Sequence, residues 1–103
     1  MEFIDSKVFV ADVAWANRML MDLDTHTVKI HWTDKPYRWH QNTGEELFVV
    51  LDGVVEMHYL EEGQEHIRVL QPGQMALVLD GERHVARPRG EARIMVIEQK
   101  GTE

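Results

Sequence analysis

Turn signals divide this chain into short segments at nearly even intervals. Between the turns lie runs rich in Val, Ile, Leu, Phe and Tyr, residues that favour an extended backbone. The turns are Thr33–Pro36, Asn42–Gly44, Asp52–Gly53, Glu61–Gly63, Gln71–Gly73, Asp80–Gly81 and Pro88–Gly90. The runs are Thr27–Trp32, Leu47–Leu51, Val54–Leu60, His66–Leu70, Met75–Leu79 and Ala92–Glu98. Short strands at this spacing predict an all-β protein, either an antiparallel sandwich or a small antiparallel β-barrel.

The length of the chain fits one domain. A chain of 103 residues can build one hydrophobic core, and no linker, repeat or low-complexity block divides it. We expect a single domain over residues 1–103, with the barrel core at 27–98 and residues 1–26 as an N-terminal segment that packs on the barrel or on a partner subunit. Within that segment, Asp12 could cap a short helix over Val13–Ala16. Alternatively, Arg18–Leu23 forms a strand paired with Thr27–Trp32, and we favour the strand.

One run is apolar on both of its faces. Because successive side chains of a strand point to opposite sides, Leu47–Leu51 would place apolar residues both inside and outside a barrel. The outer face then needs a cover, which is either the N-terminal segment or a second subunit. We therefore predict a homodimer as one of two ways to cover this face.

Charge and composition exclude several classes of function. The formal net charge is −7, so a nucleic acid or an anionic membrane surface is an unfavourable partner. The chain has no cysteine, which excludes disulfides and thiolate metal sites. No apolar run approaches the roughly 20 residues of a membrane span, and the first residues lack the pattern of a secretory signal. We expect a cytoplasmic protein whose partner is a small molecule.

Four polar side chains are placed where the predicted turns could bring them together. His40 and Asn42 are two residues apart, and on a strand they would share one face. Glu46 follows the turn at Asn42–Gly44 and could return on the next strand, and His84 follows a separate turn at Asp80–Gly81. A barrel could direct all four side chains to one interior point. Imidazole and carboxylate together suit Zn, Fe, Mn, Ni or Cu better than Ca or Mg.

These residues resemble the two motifs of the cupin superfamily. The first motif runs glycine, five residues, His-x-His, three or four residues, Glu, six residues, Gly; here His40-x-Asn42, three residues, Glu46, six residues and Gly53 match its second part. The second motif runs Gly, five residues, Pro-x-Gly, two residues, His; here Gly73 to His84 matches it apart from the proline. The amino-acid sequence of the first segment is most similar to that of small single-domain cupins of the mannose-6-phosphate isomerase type.

The resemblance implies a fold, a metal and a ligand set. The fold would be the cupin jelly roll, a double-stranded β-helix. The cofactor would be a divalent metal ion (Fe, Mn, Ni or Zn) held by His40, Glu46 and His84, with Asn42 as a fourth or neighbouring partner. Asn42 stands where the motif has a second histidine, and a neutral amide is the weaker ligand. Glu46 rather than Glu45 keeps the spacing to Gly53, so we expect Glu45 to be exposed.

The function implied is that of a small metal-binding cupin that binds or acts on a small polar molecule. The resemblance leaves open whether the protein is an enzyme. An alternative is a non-catalytic cupin that binds or senses a small molecule through a degenerate metal site, and a third is a structural protein whose barrel serves to dimerise.

Residues outside the motifs receive simpler interpretations. His26, His31, His58 and His66 are expected to be surface or hydrogen-bonded histidines, although His58 could point into the barrel. Trp39 could line the mouth of the site or fill the core. Four arginines could guide an anionic substrate, but for each of them a solvated surface position is favoured; they are Arg38, Arg83, Arg87 and Arg89.

Overall fold

Seven antiparallel strands make up almost all of the regular structure in the part of the chain that the structure describes. The computed structural model describes residues 1–101; residues 102–103 of the predicted domain lie outside the described residues. After a 3-10 helix at Ser6–Val8, the strands are β1 (Ala16–Asp22), β2 (His26–Thr33), β3 (His40–Gln41), β4 (Glu46–Glu61), β5 (Gln64–Leu70), β6 (Met75–Val78) and β7 (Arg83–Gln99). Their order is β1-β2-β7-β4-β5, with β3 on β7 and β6 on β4. The predicted all-β antiparallel fold is confirmed.

The two longest strands bend in the middle and run beside each other. Sequence patterns predicted breaks at Asp52–Gly53 and Pro88–Gly90, and both predictions are wrong, because β4 and β7 continue through them. The ladder between the strands instead shifts register on either side of Asp52. Gly53 allows the bend, since its φ of +83° is in the left-handed region and an added Cβ would lie 2.3 Å from the carbonyl oxygen of Glu91.

The bend separates an apolar end of the barrel from a polar end. Side chains at the bend have no exposed surface, among them Val50, Val55, Ala92 and Ile94. At the far ends of the same strands, Glu46 lies opposite Glu98, and Tyr59 lies opposite His84. The hydrophobic core therefore fixes the bend, while the ends of β4 and β7 carry polar groups.

The N-terminal segment covers part of the outer face of the sheet. Ile30 is only 1% exposed, and it shares a small cavity with Phe3, Ile4 and Phe9. Arg93 donates a hydrogen bond to the carbonyl oxygen of Phe9 at 3.0 Å, which anchors the segment. Of the two covers considered for the outer face, the N-terminal segment thus supplies one within a single chain, and the homodimer stays a prediction.

The region between Asp12 and Asp22 contains the favoured strand rather than the alternative helix. β1 pairs antiparallel with β2, and a bulge between Met19 and Met21 shifts the register. The alternative helix over Val13–Ala16 is wrong, because a turn occupies this position, with Ala16 N–H donating to the Val13 carbonyl at 3.2 Å. Within residues 1–101, no helix is long and apolar enough to span a membrane.

Candidate metal centre

Three of the four predicted ligands meet at the polar end of the barrel. His40 lies in β3, Glu46 begins β4 and His84 lies at the start of β7. Each offers one ligand atom, and these atoms lie within 4.8 Å of one another. The two histidines are direct partners in the β3–β7 ladder, and their ring centroids are 4.3 Å apart. The geometry brings together two imidazoles and one carboxylate, a set suited to a divalent transition metal.

Hydrogen bonds between the two motif turns hold these strand ends together. The Asn42 N–H donates to the Glu82 carbonyl at 2.8 Å, and the Gly81 N–H donates to the Asn42 carbonyl at 2.9 Å. The Gly44 N–H donates to the Asp80 carboxylate at 2.8 Å. The turns before Glu46 and before His84 are therefore joined by three bonds.

Asn42 contributes to this framework. The strand ends at Gln41, so the shared-face argument that grouped His40 with Asn42 does not extend to it. The Asn42 side chain is buried, and its amide nitrogen donates to the Gly44 carbonyl at 2.8 Å. Asn42 is not among the residues that line the cavity described below. Its role as a metal ligand stays a prediction.

The His40 ring is oriented by the backbone. Its Nδ1 lies 3.0 Å from the carbonyl oxygen of Arg38. A carbonyl only accepts, so Nδ1 carries the proton and donates. The Nε2 lone pair is then free, which is the arrangement that metal-binding histidines commonly use.

His84 is buried in its neutral form. The side chain is 3% exposed and its Nδ1 has no hydrogen-bond partner within the described residues. Burial, reinforced by the neighbouring His40, lowers the pKa of the imidazole to about 4. The Glu82 backbone acts on this pKa in the opposite direction, and one imidazole nitrogen of His84 is among the atoms that converge with those of His40 and Glu46.

Glu46 is buried and desolvated. Burial raises the pKa of its carboxyl to about 7, and the nearby Glu98 carboxylate adds to the effect. Glu45, by contrast, is exposed, as the motif spacing predicted. A divalent cation would stabilise the ionised form of Glu46. The neutral imidazole of His84 and the desolvated carboxylate of Glu46 both fit a divalent metal.

The three residues open into a cavity of about 310 Å³. Sequence reasoning missed several residues of its wall, namely Trp15, Asn17, Lys29, His31, Tyr37 and Glu98. His31, expected to be an ordinary surface or hydrogen-bonded histidine, lies in this wall. The available signal was the polar alternation of β2, in which Lys29 and His31 share one face.

Trp15 closes one side of the cavity. Its backbone adopts a φ of +62°, unusual for a bulky residue, at the turn that leads into β1. The indole N–H donates to the Lys35 carbonyl at 3.0 Å, and the ring meets Tyr37 edge-on at a centroid distance of 5.1 Å. Trp39, which the sequence suggested for this role or for the core, is 36% exposed and lies outside the wall.

His58 lies away from the metal centre. It is buried on the opposite face of β4, where its ring nitrogens lie 3.1 Å from Glu65 and 3.0 Å from Glu56. Glu56 also accepts a bond from Arg89 at 2.8 Å. The expectation that His58 is a hydrogen-bonded histidine is confirmed.

A second cavity lies on the other side of His84. It has a volume of about 570 Å³ and runs along β5 and β6. His84 is the one residue that lines both cavities within the described chain.

Comparison with known proteins supports the fold through structure alone. No protein-family model matches the chain, and no curated protein sequence matches it. A cupin-2 domain protein from Shewanella frigidimarina is similar over 87% of this chain and 85% of its own, with 23% identity and a TM-score of 0.75.

Two further solved structures have the same architecture. A cupin superfamily protein from Desulfitobacterium hafniense has a TM-score of 0.77 at 14% identity, over 91% of this chain and 84% of its own. A candidate mannose-6-phosphate isomerase from Ralstonia eutropha has a TM-score of 0.78 at 15% identity, over 96% of this chain and 98% of its own. Sequence identities this low support a shared fold but not a shared activity. The chain therefore has the fold of the small cupins.

Proposed function

We propose that the protein is a metal-binding cupin that uses a divalent ion to bind or act on a small polar molecule. The observation that carries the proposal is the convergence of three ligand atoms from His40, Glu46 and His84 within 4.8 Å. The ion is Fe, Mn, Ni or Zn, the metals that a mixed imidazole and carboxylate set suits.

Neighbouring residues orient the proposed metal ligands and limit water around them. The Arg38 carbonyl sets the orientation of the His40 ring. Phe48, Ala86 and Val96 form an apolar part of the wall, which limits water near the ligand atoms. Three protein ligands leave coordination positions for a small molecule, and a bound metal supplies Lewis acidity there.

Metal content of the purified protein tests this proposal. Untagged protein would be prepared without chelator, reconstituted with each of the four metals and analysed by inductively coupled plasma mass spectrometry. We expect one ion per chain in the wild type and none in His84→Ala or Glu46→Gln. Glu45→Gln is the matched control, since it removes a carboxylate from the adjacent exposed position and should keep the metal.

Two results would contradict the proposal in different ways. Equal metal content in wild type and Glu46→Gln would place the ion elsewhere. A reconstituted wild type without metal would favour the alternative, in which the cavity binds a small organic molecule directly and without catalysis.

A further inference from the structure

The second cavity, which runs along β5 and β6, has an apolar floor. Its volume of about 570 Å³ is in the range of small-molecule sites. Three apolar residues of its wall are buried in the core and are only 4%, 5% and 6% exposed, namely Met57, Leu70 and Val78. Apolar surface in contact with water is unfavourable, so an apolar group that fills this space would stabilise the protein. The proposed metal site makes no use of the cavity beyond His84.

One cation lies in the wall of this cavity. Arg68 is the one Lys or Arg that lines it in the described part of the chain. The residue is exposed, and within residues 1–101 its guanidinium forms no hydrogen bond or ion pair. The guanidinium can therefore keep its contact with water and also pair with the charged end of a ligand. The cavity thus combines an apolar floor with a positive charge on its exposed side.

Strand register places Arg68 on the inner face of the sheet and away from the metal ligands. Arg68 is aligned with the core residue Met57 on β4, and Met57 is aligned with Ala86 on β7. Residues aligned in this way share one face of the sheet, and β5 is its last strand. Adjacent strands are about 4.8 Å apart and two residues rise about 6.8 Å, so the Cα atoms of Arg68 and His84 are roughly 12 Å apart. An anion paired with Arg68 needs no contact with the metal.

The other polar groups of the wall agree with a negative charge on the Arg68 side. Gln74 accepts a backbone N–H of its own turn through Oε1 at 2.8 Å, which leaves its amide nitrogen as a donor. Glu82 is the one carboxylate of the wall in the described chain, and its Oε1 accepts a backbone N–H at 2.7 Å. Glu82 lies before His84 on the chain, so it is farther along the sheet from Arg68 than His84 is. A ligand carboxylate is therefore repelled at the Glu82 side and attracted at the Arg68 side.

We infer that the second cavity binds an aliphatic carboxylate. The carboxylate pairs with the Arg68 guanidinium, and the hydrocarbon chain covers the apolar floor formed by Met57, Leu70 and Val78. The chain supplies most of the affinity, because burial of apolar area contributes more than an exposed ion pair. The ion pair determines the orientation of the ligand. The inference does not depend on the proposed metal site.

Calorimetric titration of the metal-free protein tests the assignment. The probes are butyrate, hexanoate and octanoate, each below its micelle concentration, and octanol as a molecule with a similar chain and no charge. Each methylene group that the floor buries should tighten binding about four-fold. Octanol should bind about two- to five-fold more weakly than octanoate, since it lacks the ion pair.

Two variants separate the charged contact from the apolar one. Arg68→Met should weaken octanoate about two- to five-fold and leave octanol unchanged, whereas Arg68→Lys should keep most of the affinity. Ala76→Leu adds bulk to the cavity wall and should weaken octanoate more than butyrate. Lys7→Met removes an exposed cation of the 3-10 helix and is the matched control for charge. Circular dichroism of every variant should equal that of the wild type.

The possible failures distinguish this inference from the proposed function. Equal affinities for butyrate and octanoate, or no binding of either, would overturn the apolar site. An unchanged preference for octanoate over octanol in Arg68→Met would overturn the role of Arg68. Metal-free and zinc-loaded protein should bind octanoate equally, and binding by the zinc-loaded protein alone would make the acid a metal ligand, which overturns this inference and leaves the metal site standing. Protein that takes up no zinc but binds octanoate overturns the proposed function and supports this site.

Discussion

Glu46→Gln should make the metal-free protein more stable at neutral pH while removing its metal. The folded site raises the pKa of the Glu46 carboxyl from 4.5 to about 7. The unfolded chain therefore releases this proton more readily, and folding must overcome the difference. At about 1.4 kcal/mol for each tenfold change in proton affinity, the full penalty is roughly 3 kcal/mol. Glutamine keeps the shape and has no charge to desolvate.

The pH dependence follows from the sign of this shift. The contribution of Glu46 to stability is fully present below pH 4.5 and is lost as the pH rises through about 7. Between pH 5 and pH 8 the metal-free wild type should lose about 2.5 kcal/mol relative to Glu46→Gln. His31 and His84, whose pKa values burial lowers to about 4, act in the opposite direction, since their stabilisation is lost as the pH falls from 6.5 toward 4. Both proteins share these histidines, so the difference between the proteins reports on Glu46 and its coupling to the neighbouring Glu98.

Urea unfolding followed by tryptophan fluorescence measures the effect. Chelator-treated wild type and Glu46→Gln would be unfolded at pH 5, 6, 7 and 8, with Glu45→Gln expected to follow the wild type. Addition of metal at a hundred times its dissociation constant should restore about 2.7 kcal/mol to the wild type at pH 8 and nothing to Glu46→Gln. Parallel stability profiles for the two metal-free proteins would refute the view that Glu46 is a desolvated carboxylate.

Three further outcomes concern the framework around the site. Gly53→Ala should lower the unfolding free energy by well over 1 kcal/mol, because the new methyl group would lie 2.3 Å from a backbone carbonyl oxygen. Gly63→Ala is the control, since an added Cβ meets open space there. It should lower the unfolding free energy by about 1 kcal/mol, the strain of its positive φ. Asp52→Ala should cost about 3 kcal/mol by leaving the buried Arg93 unpaired, and the double variant with Arg93→Met should recover part of it, as urea unfolding would show. Sedimentation velocity tests the predicted homodimer. Leu77 is 58% exposed on the outer face, so Leu77→Glu should leave a monomer unchanged but weaken a dimer that buries this face. An unchanged sedimentation coefficient would count against a second copy on this face.

The convergence of His40, Glu46 and His84 could be predicted from sequence because their spacing matches the two motifs and each residue lies beside a turn. His40 and Glu46 flank one turn, and His84 follows a second turn that is hydrogen-bonded to the first. The spacing from Glu46 to Gly53 also has a structural reason, since Gly53 is where β4 must bend for its start and end to face the same space. Such local constraints remain visible when only the order of residues is known.

The alternation in β2 was visible in the sequence, but the sequence did not show which face of this strand lines the cavity. In β2 the polar residues face inward and the apolar residues Val28, Ile30 and Trp32 face outward, the reverse of the usual pattern. Sequence reasoning therefore treated His31 as a surface or hydrogen-bonded residue. The reversal is possible because the N-terminal segment covers part of the outer face. The left-handed backbone of Trp15 was equally hidden, since helix and turn patterns overlap in so short a segment.

His84 borders two cavities, and this place has a consequence for the proposed metal site. The cavities, about 310 and 570 Å³, have this one residue in common within the described chain. A smaller side chain at position 84 would widen the space on both sides, but it would also remove one of the two imidazoles of the proposed site. If the protein binds a metal as proposed, room for a larger ligand would have to come from other wall positions, such as Ala86 or Trp15. The same side chain would then govern both the space for a ligand and the retention of the metal.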